Sequence, residues 1–199
     1  MNIKKLILLA TLAFPVTAWS QATEEQFYKE LARISREIET LSGSFTQTKE
    51  FRSLDVKVVS KGKFHYARNR EIRFDYTVPY EVGLVVDDLT VKITSGDKTT
   101  TYVLKDQKNA MAEMASIMNY CMKGLLYELK AGYDLAYAGD GPYHRVIVKN
   151  LKEDPANVFD RIDLKFTREN YALEEMVISE KSGYITTYVF GNLAVNVAR

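Results

Sequence analysis

Apolar residues first recur at helical spacing. Between residues 24 and 41, Phe27, Leu31, Ile34, Ile38 and Leu41 fall alternately four and three apart, while Glu, Lys and Arg fill the other faces. That pattern predicts an amphipathic helix, with Thr23 as its cap and Gln26 completing a capping box. After Gly43 the period shortens to two. Phe45 to Thr48 lead a first strand; Gly62, Phe64, Tyr66 and Arg68 then share one face of a second, opposite Lys63, His65 and Ala67. Ile72, Phe74, Tyr76 and Val78 alternate with Arg73, Asp75 and Thr77 up to Pro79, and two short strands flank the Asp87-Asp88 turn. Ser95-Gly96-Asp97 is a hairpin turn into a strand at residues 100–104.

Residues 109–129 return to helical spacing. Met111, Met114, Met118 and Met122 are separated by three, four and four positions, with Leu125 and Leu129 continuing the row. Asn109 is the candidate N-cap, and Gly124, which costs about 1 kcal/mol relative to Ala inside a helix, divides the segment in two. A stripe of this kind ordinarily covers a sheet. Methionine is an unusual choice for that purpose, because its flexible, polarizable side chain fits shapes that vary. The row therefore leaves open a packed core or a pocket.

Strand patterns resume at residues 133–138, 144–151, 161–167, 173–180 and 184–190, separated by Gly139-Asp140-Gly141-Pro142, Asp154-Pro155, Glu169-Asn170 and Ser182-Gly183. Short strands joined by tight turns predict a mostly β, α+β chain: an antiparallel meander of about ten or eleven strands, curved so that an N-terminal helix and a central helical insertion cover its concave face.

Composition narrows the setting. Lys4 and Lys5, the apolar run from Leu6 to Val16, and the small residues Ala18 and Ser20 read as a secretory signal peptide, residues 1–20, cut after Ser20 or after Ala22. The cut carries no cysteine, so no lipid attachment is expected, and residues 21–199 form one soluble domain in the periplasm. Removing the leader leaves 25 basic against 26 acidic residues, which gives no global electrostatic case for nucleic acid or for an anionic membrane surface. Cys121 is the one cysteine, so no internal disulfide forms, and its place beside Met118 and Met122 makes it a buried structural thiol. His65 and His144 stand outside any metal-ligand spacing, and no nucleophile elbow, P-loop or dinucleotide fingerprint occurs. The chain reads as neither an enzyme nor a cofactor or metal protein.

In order, the chain carries Phe45-Thr46-Gln47, then Gly62-x-Phe64-x-Tyr66-x-Arg68, then Phe74-Asp75-Tyr76 with Pro79, and the Val86-Asp87-Asp88 turn. This series resembles the LolA-type periplasmic lipoprotein carriers. The resemblance implies an incomplete antiparallel β-barrel closed by helices, whose apolar cavity shelters acyl chains. It implies cargo taken from an inner-membrane extraction complex of the ABC-transporter type and delivered to the outer membrane, where a receptor receives it, by a monomeric carrier. It also implies that Arg68 gates the cavity through helix backbone carbonyls. An arginine snorkelling from a strand end is the alternative that the residues themselves leave open. Four departures bear on the handover: Asn69 stands where a proline usually follows the arginine, Asp88 replaces the turn glycine, Phe and Tyr stand in place of strand Trp, and the chain ends at Arg199, soon after Gly191-Asn192-Leu193.

The expected cavity lining is Phe45, Phe64, Tyr66, Phe74, Tyr76, Leu84, Val86 and Ile93 from the sheet, roofed by Met111, Met114, Met118, Met122 and Leu125. Two other readings fit the same surface: a carrier of another amphiphile, such as a glycolipid or polyketide-like lipid, and a periplasmic sensor or interaction module whose concave face is filled by its own side chains.

Overall fold

A computed structural model of the chain describes residues 16–103, 110–151 and 158–197. Helix α1 (Val16–Glu37) runs directly into β1 (Ile38–Phe51). A 3₁₀ turn at Arg52–Leu54 leads to β2 (Val56–Ala67), followed by β3 (Glu71–Val78), β4 (Val82–Val86), β5 (Thr90–Ser95) and β6 (Lys98–Val103). Helix α2 (Ala110–Met122) and a 3₁₀ helix (Leu126–Ala131) interrupt the strands. Then come β7 (Tyr133–Asp140), β8 (Tyr143–Asn150), β9 (Phe159–Thr167), β10 (Leu173–Glu180) and β11 (Tyr184–Val197).

All the strands belong to one antiparallel sheet of 11, ordered β6-β5-β4-β3-β2-β1-β11-β10-β9-β8-β7. The sheet does not close: β6 and β7 remain its two edges. This is the antiparallel meander expected from the alternation and the turn residues, left open as the family resemblance implies. The long central pair is β1 with β11, registered from Ile38 opposite Val197 to Phe51 opposite Tyr184.

Two helix expectations need correction. The first helix ends at Glu37, not Leu41, and it is described from Val16, so Thr23 lies within it rather than at the cap position. Ile38 and Leu41 continue the helical spacing but pair with Val197 and Val195 in the sheet; ladder formation overrides a weak local preference. Both stay partly buried against the core, because either geometry turns them inward. In the Met segment, α2 stops at Met122 and Gly124 adopts φ +68, a left-handed conformation that glycine supplies without steric cost. The break moves Leu125 out of the row: it is 37% exposed, while Leu126 (0%) and Leu129 (4%) take the inward positions. Residues 1–15, Asn109 and the Asp154-Pro155 turn lie outside the described residues, as does the side chain of Met111.

Several strands bury alternate residues on the concave side, as β9 does with Ile162, Leu164 and Phe166. Helix α1 packs Phe27 into an aromatic group with Tyr137, His144, Phe166 and Tyr171, at ring separations of 4.7 to 6.0 Å. His144 is 5% exposed, and its Nδ1 lies 2.9 Å from the Tyr137 hydroxyl. Burial, assisted by the Arg168 charge, lowers its pKa, so it serves as a neutral core residue. Cys121 is likewise buried, and burial raises its thiol pKa.

Candidate functional site

The concave face between β1–β5, β9–β11 and the two helices holds the predicted lining. Phe45, Phe64, Tyr66, Phe74, Leu84, Val86, Met114 and Met118 are each 5% exposed or less. Their rings interlock edge to face: Phe45 with Phe74 at 5.3 Å and with Tyr76 at 4.8 Å, and Phe64 with Phe190 at 5.4 Å. Gly62 permits this arrangement. A Cβ there would come within 2.1 Å of the Asp75 carbonyl oxygen and 2.8 Å of the Phe45 ring.

Among the described residues, two hollows lie under the helices. One, about 270 Å³, lies toward the far ends of β1 and β10 and is lined by Gln47, Lys49, Tyr76, Val82, Leu84, Ile93, Met114, Ile178, Glu180, Thr186 and Tyr188. The other, about 250 Å³, lies where α1 enters β1; its walls include Leu31, Ile34, Ile38, Leu41, Cys121, Met122, Phe166, Leu173 and Val197. Tyr76, Leu84, Ile93 and Met114 therefore reach the first and Met122 the second. Phe45, Phe64, Tyr66, Phe74, Val86 and Met118 line neither hollow and are packed as core. Leu125 faces outward. Each hollow is smaller than the ~300 Å³ at which small-molecule sites usually begin.

The first hollow has a polar end. The Gln47 amide donates to the Tyr188 hydroxyl at 2.6 Å, Lys49 Nζ lies 3.6 Å from the Glu180 carboxylate, and the same ammonium sits 4.7 Å from the Tyr184 ring centre. Burial drives the Tyr188 hydroxyl pKa well upward, so this phenol stays protonated. Sequence reasoning missed the β10 and β11 contributions, although Met176 and Ile178, and Tyr188 and Phe190, show the same alternation as the strands that were singled out.

At the other end the helices are tied down. The Arg68 guanidinium donates to the backbone oxygen of Arg36 in the last turn of α1 and lies 3.7 Å from the Glu39 carboxylate. Its own N–H donates to the Glu39 carbonyl at 2.9 Å. A cation at a helix C-terminus meets carbonyls without intrahelical partners and the negative end of the macrodipole. Asn69 follows at φ +59, which proline, fixed near −65°, cannot adopt. The missing proline thus belongs to a differently shaped turn. Asp88 accepts from Asn119 Nδ2 at 3.0 Å and from Lys123 Nζ, which ties the β4–β5 turn to the end of α2. These two donors hold its carboxyl below the usual range, Lys123 contributing most. Gly124 brings the chain so close to α1 that a Cβ would stand 2.7 Å from that of Ser35.

His65 is exposed on the convex side, and among the described residues no group of three or more His, Cys, Asp or Glu is placed to hold a metal ion. No helix among them is long and apolar enough to cross a membrane.

No curated protein matches the chain in sequence. Among solved structures, an uncharacterized conserved protein from Thermus thermophilus is similar at TM-score 0.52 and 7% identity, over 89% of this chain and 90% of that one. The MucA/MucB complex of Pseudomonas aeruginosa is similar at 0.50 and 14% identity, over 89% of this chain and 58% of the other, so the match spans little more than half of that protein. At such identities these likenesses concern the fold alone. The model of the family described as outer membrane lipoprotein carrier protein LolA matches residues 36–198, from the last turn of α1 through β11. With that match over most of its length, and with the open sheet and paired helices described above, this chain belongs to the LolA family.

Proposed function

We propose that the protein is a periplasmic carrier that shelters the acyl chains of lipoproteins between sheet and helices and moves them from the inner to the outer membrane, without catalysis. The observation that carries this reading is the interior itself: two apolar hollows lie along one methionine-bearing helix, at Met114 and at Met122. An acyl chain gains about 0.8 kcal/mol per buried methylene, so it needs shelter to cross water. In this reading the two separate hollows belong to the closed form of the carrier. Loading joins them by displacing α2 and Met118, and methionine's rotamer freedom lets the roof follow the cargo.

In this reading Arg68 is the latch on the closed state. Its bond to the Arg36 carbonyl holds the end of α1 against the sheet, and cargo entry releases it. A monomeric carrier receives its cargo from an inner-membrane extraction complex of the ABC-transporter type and passes it to an outer-membrane receptor.

Titration of the processed protein with a fluorescent fatty-acyl probe tests the proposal. Saturable uptake is expected, with altered loading or release in Arg68→Leu; absence of saturable uptake refutes it, and wild-type loading and transfer by Arg68→Leu removes the latch. The modest size of each hollow favours a second reading, an interaction module with a filled concave face. Mass spectrometry of lipids retained after mild purification separates the two, and the identity of any lipid found separates a lipoprotein carrier from a carrier of another amphiphile.

A further inference from the structure

The β1–β2 hairpin extends beyond β3 on one side, while on the other β1 stays paired with β11 as far as Phe51 opposite Tyr184. Pairing of β2 with β3 begins at Lys61 opposite Val78, so residues 56–60 pair only with β1. Five residues at ~3.3 Å each make an overhang of about 16 Å. This stretch is apolar where it meets water. Leu54 at the tip is 67% exposed, Val56 47%, Val58 49% and Val59 39%. A lysine-bearing strand edge is ordinarily explained as protection against edge-to-edge pairing. Lys57, Lys61 and Lys63 meet that description, but four exposed aliphatic side chains work against it.

Position and charge supply the rest. Val58 pairs directly with Lys49, which lines the first hollow, so the arm borders that hollow's polar end. Residues 49–63 carry five basic and two acidic side chains in a chain whose formal net charge is only +1. An aliphatic tip flanked by lysine and arginine matches a bilayer interface bearing anionic headgroups: the tip sits at the acyl boundary and the cations lie at headgroup depth.

We infer that the β1–β2 arm is a membrane-docking element that seats the protein on an anionic lipid surface with the Lys49 hollow facing the headgroups. The inference does not depend on the carrier reading, since an arm binds a bilayer whatever occupies the interior.

Co-sedimentation with phosphatidylglycerol/phosphatidylcholine vesicles, compared with phosphatidylcholine alone, tests it. The protein is expected to sediment with the anionic vesicles and to be released as salt approaches about 1 M, where screening shortens to ~3 Å. Leu54→Asp should weaken partition at least about tenfold. Lys57→Glu should weaken it about fivefold or more, the contribution of one basic residue near such a surface. Leu89→Asp, a change at a residue 72% exposed at the opposite end of the sheet, should leave partition unchanged. Unaltered circular dichroism and vesicle-free probe uptake by Leu54→Asp would show that fold and interior are intact, and they separate a failed arm from a failed carrier. Equal affinity for both vesicle types, no sedimentation with either, or wild-type partition by Leu54→Asp overturns the inference. Sedimentation only when a membrane protein is present in the vesicles also overturns it and assigns the arm to a protein partner.

Discussion

The two ends of the concave face are built differently. Where α1 meets β1, every element is tethered: Arg68 to the Arg36 carbonyl, Asn119 and Lys123 to Asp88, and Gly124 against Ser35. Around Met114, Lys49 and Glu180 the hollow is bounded instead by flexible side chains and a 3.6 Å ion pair, beside the edge of β2 that β3 leaves uncovered. The difference teaches that, among the described residues, the side-chain tethers of α2 gather at its Met122 end. In the proposed carrier, displacement of the roof would start near Met114, and the tethers would set how far it travels.

The largest effect should come from the plug between the ends. Met118 is 1% exposed and belongs to neither hollow, so Met118→Ala should cost about 2–5 kcal/mol in denaturant unfolding. The same change should connect the hollows and increase the amount of acyl probe bound. Unchanged capacity in a destabilised variant would mean that they are separated by the rings instead. Next comes the tethered end. Gly124→Ala places a Cβ at φ +68 and 2.7 Å from Ser35 Cβ, and should cost about 1–3 kcal/mol, with faster amide exchange at the end of α2. If exchange near Ala115 rises equally, the Met114 end is not independent. The smallest effect belongs to Lys49→Met. Its ion pair is half exposed and worth about 0–1 kcal/mol, so the melting temperature should hardly move, while probe affinity changes because the polar end of the hollow is altered.

Most of the fold was legible because period and punctuation agree. Leu173–Glu180 is bounded by the turn residues Asn170 and Gly183, and its strand has the predicted bounds. Ile38 and Leu41 misled because steps of three and four fit a helix, whereas their partners Val197 and Val195 lie far along the chain where no local pattern can announce them. The site was half legible for the same reason. Phe45, Phe64 and Phe74 declared an apolar face, but alternation cannot tell a side chain that lines a hollow from one that fills it. That depends on the edge-to-face packing of Phe45 with Phe74 and Tyr76, and on Gly62 leaving room beneath. Arg68 was legible as a charge in phase with aromatics. Asp88 was not, because its donors Asn119 and Lys123 are 31 and 35 residues away.

Helix α1 passes into β1 at Ile38 without a connecting loop, and the β1–β11 ladder slips register twice within the next turn of chain, between Ile38 and Thr40 and between Ser42 and Ser44. A helix mounted this way has no free joint on which to swing. If its far end lifts, the torque passes straight into the central strand, and the two irregularities are where that strand yields most easily. The crease that lets the cover rise would thus be folded into the sheet itself.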